Sequence, residues 1–307
     1  MTNKPVIGLA LGGGGARGFA HLGALQVLIE AGIHPDIIAG SSFGSLGGAL
    51  YIKHGNIPDC IHDLQALLET DIYKDLGVGN IHVQDRQGGS FWHQAAQLVQ
   101  NRIIINLAQS RPGLIRLDKL RRVTEFLITE DRWERDNVRL GIVATDLQNG
   151  EDVYFTKGDL VTAILASSAI PGFVPPVEAN GRILTDGGVT QQVPIRLARQ
   201  MGADVVLAID VGQAINPQAR IDNAMAIMSQ AEGIKSYHYR MMLNREADVL
   251  MMPTFVGIHW SEFARAEEFI KAGRAAAESH LEEIDRVLFR ARHPWIGRIR
   301  FPQSKSR

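Results

Sequence analysis

Asp36-Ile37-Ile38-Ala39-Gly40-Ser41-Ser42-Phe43-Gly44-Ser45 decides how the rest of the chain is read. A short apolar run ends in Gly-x-Ser-x-Gly, and an uncharged, small-residue segment follows. This is the sequence form of a nucleophile elbow, a tight strand-to-helix turn that projects a serine hydroxyl out of the fold. Gly40 and Gly44 flank Ser42 because such a turn leaves no room for Cβ atoms beside the serine. Gly44, Gly47 and Gly48 follow in what should be a helix, where each glycine costs about 1 kcal/mol against alanine. Breaking a local rule so often marks a functional site, here a helix packed close against its sheet. The competing reading is a Gly/Ser-rich loop.

Upstream, Pro5–Leu11 is a short apolar run that suits a buried parallel strand. Gly12 to Gly18 follow it, then a helical pattern through Leu22, Leu25, Leu28 and Ile29 that ends at Gly32. Strand, glycine loop and helix form an anion-binding arrangement, since backbone N–H groups and the positive helix end converge there. Gly13-Gly14-Gly15-Ala16-Arg17-Gly18 satisfies the dinucleotide pattern G-x-G-x-x-G. That site wants an acid at the end of the second strand. This strand ends in Gly40-Ser41-Ser42, with Asp36 at the wrong end. The alternative is an oxyanion hole, with N–H groups of Gly13, Gly14 and Gly15 aimed at a developing negative charge. In a parallel sheet the loops after the first two strands open on one edge, which favours the second reading.

Further on, Asn56–Glu69 reads as a helix capped by Asn56. Leu117–Thr129 looks helical, and Val138–Thr145 and Asp152–Thr156 read as strands. Residues 71–116, with Phe91, Trp92, Leu98 and Ile103–Ile105, suit either a cap over the site or peripheral helices and loop. Leu160–Ser168 is a short helix running towards Pro171, Pro175 and Pro176. Arg182–Thr185 is a strand, and Asp186-Gly187-Gly188 just past it suits a turn or a catalytic carboxylate. A helix over Pro194–Met201, a strand over Asp204–Val211, a mainly helical Ile221–Asn244, a strand over Ala247–Met252 and one or two helices over Ser261–Arg292 complete the pattern. The methionines from Met225 to Met252 read as core rather than as an adaptable surface. Alternating strands and helices predict one α/β unit around a mostly parallel sheet.

A chain of 307 residues can bury a full core. A net charge of −1 gives no global field for nucleic acid. The single cysteine, Cys60, fits a reducing compartment, and a cytoplasmic location is expected. No stretch reaches the roughly 18–20 apolar residues of a membrane span. The segment 289–307 carries Arg290, Arg292, Arg298, Arg300, Lys305 and Arg307 among aromatics. It reads as a basic tail, either solvated or in peripheral contact with an anionic membrane.

Gly13-Gly14-Gly15-x-Arg17-Gly18, Gly40-x-Ser42-x-Gly44, Ala166-Ser167-x-x-x-Pro171 with Pro176, and Asp186-Gly187-Gly188 stand in a fixed order. Together they resemble the patatin-like phospholipase family, in its bacterial branch similar to the neuropathy-target-esterase domain. The resemblance spans roughly Val6 to Val211. It implies a single three-layer α/β/α sandwich over 1–307 and a serine acyl hydrolase with a Ser–Asp dyad. Ser42 would be the nucleophile and Asp186 the base. Gly13, Gly14 and Gly15, with Arg17, would form or support the oxyanion hole, and Gly18, Gly40, Gly44, Gly187 and Gly188 would shape the turns. The substrate would be a lipid or fatty-acyl ester, with neither metal nor cofactor. A nucleotide-binding oxidoreductase or regulator is the rival reading, and a family member with a vestigial site is another. Of ten histidines, none is expected in the chemistry, and His259 is the strongest challenger.

Overall fold

The computed structural model describes residues 4–77, 113, 115–217, 219, 221–255 and 259–293. Most of 71–116, read as either a cap or peripheral helices and loop, and most of the basic tail, 289–307, therefore lie outside the described residues.

The apolar run after Pro5 forms strand β1 (Ile7–Leu11), buried along its whole length. Gly15–Gly18 makes a single 3-10 turn that leads into helix α1 (Phe19–Glu30). Strand β2 (Ile37–Ser41) lies parallel to β1, with Leu11 opposite Gly40. Helix α2 (Phe43–His54) follows after one residue, Ser42. Asn56 caps α3 (Ile57–Glu69) by accepting from the Asp59 N–H at 2.9 Å, which satisfies one of the helix's orphan donors. Then come α4 (Asp71–Leu76), α5 (Leu117–Leu127), β3 (Glu134–Arg135), β4 (Val138–Asp146), β5 (Asp152–Phe155) and α6 (Leu160–Ser167). The chain continues through β6 (Val177–Ala179), β7 (Arg182–Asp186), α7 (Ile195–Gln200), β8 (Val205–Ile209), α8 (Ala224–Asn244), β9 (Val249–Met251) and α9 (Ala266–Arg292).

The sheet runs β6-β7-β4-β2-β1-β8-β9, with β3 and β5 paired to β4. From β4 to β9 every neighbour along that order is parallel, whereas β3, β5 and β7 lie antiparallel to β4 and β6 antiparallel to β7. The sheet is parallel at its centre and mixed at one side. Side chains alternate between its two faces. Leu9, Leu11, Ile38 and Leu207 pack under α1, α2 and α9 on one face. Ala10, Ala39, Val206 and Ala208 pack under α7 on the other. The result is three layers, α/β/α.

The methionines divide between roles. Met251 is fully buried in β9, but Met228 and Met242 are exposed on α8, so core packing accounts for only part of the group. β3 and β6, two and three residues long and without an apolar run, were not legible from sequence.

Helix α2 lies close on the sheet at Gly44 and Gly48, whereas a Cβ on Gly47 would meet nothing within 4 Å, so close packing does not account for that glycine. A Cβ on Gly44 would sit 2.1 Å from the Leu11 carbonyl oxygen, which is backbone and cannot rotate away. We expect Gly44→Ala to lower stability by about 1–3 kcal/mol or to prevent folding. A denaturant midpoint equal to wild type would show that α2 can lift from β1 freely.

Candidate active site

Strand β2, central in the sheet, delivers Ser42 at its carboxyl end. Its backbone sits at φ 52, ψ −124, a conformation that L-residues rarely adopt. The strain is held from several directions. The Ser42 N–H donates to Ser167 Oγ at 2.8 Å. The Ser42 carbonyl accepts from Ser45 Oγ at 2.6 Å and from the Ser45 N–H at 2.9 Å. Gly40 backs onto Ser45, where a Cβ would approach Ser45 Cα to 2.5 Å. Although Ser42 occupies the N-cap of α2, its hydroxyl makes no capping hydrogen bond, so the oxygen is left for other work.

Register brings Asp186 to that oxygen. Ser41 lies opposite Val143 on β4, and the next β4 residue, Ala144, lies opposite Asp186 on β7. Ser42 and Asp186 therefore stand level on either side of β4, 144 positions apart in sequence. Asp186 is 1% exposed. Its Oδ1 accepts from the Gly188 N–H at 2.7 Å. Its Oδ2 has no partner in full hydrogen-bond geometry. Burial raises the carboxyl pKa to about 7, opposed by the Gly188 N–H and by the nearby Ser42 hydroxyl. An apo geometry looser than a full hydrogen bond is ordinary for a nucleophile and its base. Gly187 has a different task from its neighbour: a Cβ there would lie 2.3 Å from the Val143 carbonyl, so it lets the turn close on β4.

The glycine loop comes to the same place. Gly13 packs against Ser42, since a Cβ on Gly13 would lie 3.1 Å from Ser42 Cβ. Gly18 packs against Phe43, the residue after the serine. The loop is tied down through residues that sequence reasoning did not single out. His21 Nε2 bonds the Gly12 carbonyl at 2.7 Å; burial lowers the His21 pKa to about 4, so the neutral ring donates through Nε2. The Ala16 N–H donates to the Trp260 carbonyl at 2.8 Å. Gln192 grips Gly13 twice: its carbonyl accepts the Gly13 N–H at 2.9 Å, and its Nε2 donates to the Gly13 carbonyl at 2.6 Å.

The Gly13 N–H is already given to the Gln192 carbonyl, which fits Gly13 to a supporting place in the loop rather than to an open donor. Among the described residues the N–H groups of Gly14 and Gly15 have no acceptor. Arg17 turns away to another polar cluster, where its Nη2 donates to Gln213 Oε1 at 2.6 Å.

His259 stands near Arg17. Its Nδ1 pairs with Ser261 Oγ at 2.8 Å, and burial first, then the Arg17 charge, lowers its pKa to about 4. Ser167 and Gln192 carried no signal of their own in the sequence, except that Ser167 falls in the block Ala166-Ser167-x-x-x-Pro171.

Residues 9–199 match the family model described as patatin-like phospholipase. The chain belongs to that family. An uncharacterized NTE family protein of Mycobacterium bovis is 32% identical over 212 residues, covering 68% of this chain and 50% of the relative. A protein named lysophospholipase NTE1 in Saccharomyces cerevisiae is 30% identical over 214 residues, covering 70% of this chain and 11% of that protein. The match thus spans half of the mycobacterial relative and a small part of the yeast one. Among solved structures, VipD from Legionella pneumophila aligns over 91% of this chain and 67% of its own, at 16% identity and TM-score 0.45. No helix among the described residues is long and apolar enough to cross a membrane.

Proposed function

We propose that this chain is a serine acyl hydrolase that cleaves acyl ester bonds of lipids, with phospholipid or lysophospholipid as substrate. One observation carries the reading: a serine on a strained elbow, its hydroxyl free of any capping bond and close to a buried carboxylate whose Oδ2 has no partner in full hydrogen-bond geometry. Membership of the patatin-like phospholipase family and the lysophospholipase name of a relative support the lipid ester as substrate class.

In this mechanism Asp186 Oδ2 takes the proton of Ser42 Oγ as the oxygen attacks the ester carbonyl. A carboxylate of ordinary pKa is too weak a base for that transfer, and burial is what brings Asp186 to about 7. Negative charge then develops on the carbonyl oxygen, and the N–H groups of Gly14 and Gly15 receive it. Each such donor is worth about 3–4 kcal/mol in the transition state. The alcohol leaves with the proton from Asp186. Water then attacks the acyl-serine, giving its proton to Asp186, which passes it to Ser42 Oγ as that oxygen leaves, so the fatty acid departs and both residues return to their starting state.

The test is a panel of lysophospholipid, diacylphospholipid and triacylglycerol, given to wild type and Ser42→Ala in parallel. Hydrolysis of at least one lipid by wild type alone is expected. No turnover of any member, or equal turnover by both proteins, overturns the proposal. Presenting the panel in anionic and neutral vesicles also reads the membrane contact proposed for 289–307. A thermal shift with NAD(P) would instead favour the dinucleotide reading of the glycine loop.

A further inference from the structure

Arg17 is the most deeply buried cation of the described residues, at 1% exposure, and it has no carboxylate partner among them. Its Nε and Nη1 make no hydrogen bond, and its Nη2 makes one, to a neutral acceptor, Gln213 Oε1. A buried charge is ordinarily paired. Here the charge that bears on it is a second cation, Arg240. Burial first, and then the Arg240 charge, lowers the Arg17 pKa to about 10, so the guanidinium remains charged at neutral pH.

Arg240 has its own carboxylate. Its Nε lies 3.0 Å from Asp210 Oδ2, which also accepts from Asn244 Nδ2 at 2.7 Å. Asp210 Oδ1 accepts the Gly212 N–H at 2.7 Å, and Arg240 Nη2 donates to the Gln213 carbonyl at 2.9 Å. This cluster fixes the segment from Asp210 to Gln213. The glycine loop rests on the same segment: a Cβ on Gly14 would lie 2.7 Å from Val211 Cγ2. His259, the other titratable neighbour of Arg17, is neutral at pH 7. Arg240 and Asp210 cancel, so the charge left over is that of Arg17, two residues after the free N–H of Gly15.

We propose that Gln213 is a positioning residue that orients the Arg17 guanidinium while leaving its charge uncancelled, so that a positive field falls on the loop that receives the oxyanion. The inference rests on the serine hydrolase reading. A glutamate in place of Gln213 would hold Arg17 more tightly and would gain Arg240 as a neighbour, but it would cancel the field. Fixed charge aimed at a developing oxyanion acts mainly in the transition state. Stability and turnover are therefore set in opposition, which a merely structural role for Gln213 could not produce.

The experiment compares wild type and Gln213→Glu for Tm and for kcat and KM on a soluble p-nitrophenyl ester. The expected result is a Tm at or above wild type, a kcat lower by about tenfold or more, and a KM within about twofold. Unchanged kcat, or a loss of kcat that accompanies a fall in Tm, overturns the inference and leaves the hydrolase reading standing. Should Gln213→Glu fail to fold, Arg17→Met decides: it removes the buried cation in favour of an apolar chain of similar length. Its kcat must fall by at least as much with KM held, and a wild-type kcat overturns the inference. Absence of both ester turnover and fluorophosphonate labelling in wild type overturns the hydrolase reading itself, and this inference with it.

Discussion

Ser42→Ala is expected to lose ester hydrolysis and fluorophosphonate labelling, and Ser42→Gly to lose both while unfolding at or above the wild-type temperature. Loss of a serine nucleophile in a hydrolase of known mechanism lowers kcat on the order of 10⁴–10⁶-fold. The stability half follows from the backbone. Ser42 is held at φ 52, ψ −124, and a side chain there costs about 1–3 kcal/mol. Glycine removes that cost and adds about 0.5–1 kcal/mol of unfolded-chain entropy. The hydroxyl contributes no cap to α2, so nothing is lost with it. The bonds that hold the elbow, from the Ser42 N–H to Ser167 Oγ and to the Ser42 carbonyl from Ser45 Oγ, use only backbone atoms of Ser42 and survive. A Ser42→Ala protein retaining a tenth of wild-type turnover would remove Ser42 from the chemistry. A glycine variant that melts well below wild type would show that the elbow is not strained.

Asp186→Asn should reduce kcat on the order of 10²–10⁴-fold, the range for a general base. In wild type, activity should rise with pH through about 7 and level off above it, because only the ionised carboxylate accepts the serine proton. Stability should move the other way. Burial raises the Asp186 pKa from 3.8 to about 7, so the folded state binds a proton that the unfolded chain has already lost. The stability this gives is present below pH 3.8, is lost as pH rises, and is gone above about 7. Asparagine does not titrate, so Asp186→Asn should gain in Tm relative to wild type across that window. His259→Ala is the control. Its Nδ1 already pairs with Ser261, and most of kcat should remain. A His259→Ala protein as inactive as Ser42→Ala, with its fold intact, would replace the dyad by a triad. A pH profile that ignores the region around 7 would remove Asp186 as base.

Local patterns in the chain determined most of the elements. The apolar runs at Ile7–Leu11 and Val205–Ile209, too short for helices, could only be buried strands, and the Asn56 cap placed α3 to the residue. Ser42 was legible because a nucleophile elbow needs glycines at fixed offsets, which leaves a mark within five residues. Residues 9–199 also carried a family pattern whose members occur in fixed order. The short strands β3 and β6 left no mark: β9 is as short as β6 but sits in the apolar run Val249–Met252, whereas Glu134–Arg135 and Val177–Ala179 carry no apolar run and their pairing is specified by the neighbouring strand. Asp186 was ambiguous for a related reason: an aspartate before two glycines makes a good turn whether or not it faces a serine. Only the register of β2, β4 and β7 sets it level with Ser42, and only burial raises its pKa to about 7. The division among the loop glycines was likewise decided in three dimensions. Gly13, Gly14 and Gly15 are equivalent as letters, yet the Gly13 N–H is taken by Gln192, 179 residues away. Local propensity sets where a chain turns and what side chain it offers there. Which hydrogen bonds remain open is set by distant segments, because every buried N–H that can find an acceptor takes it.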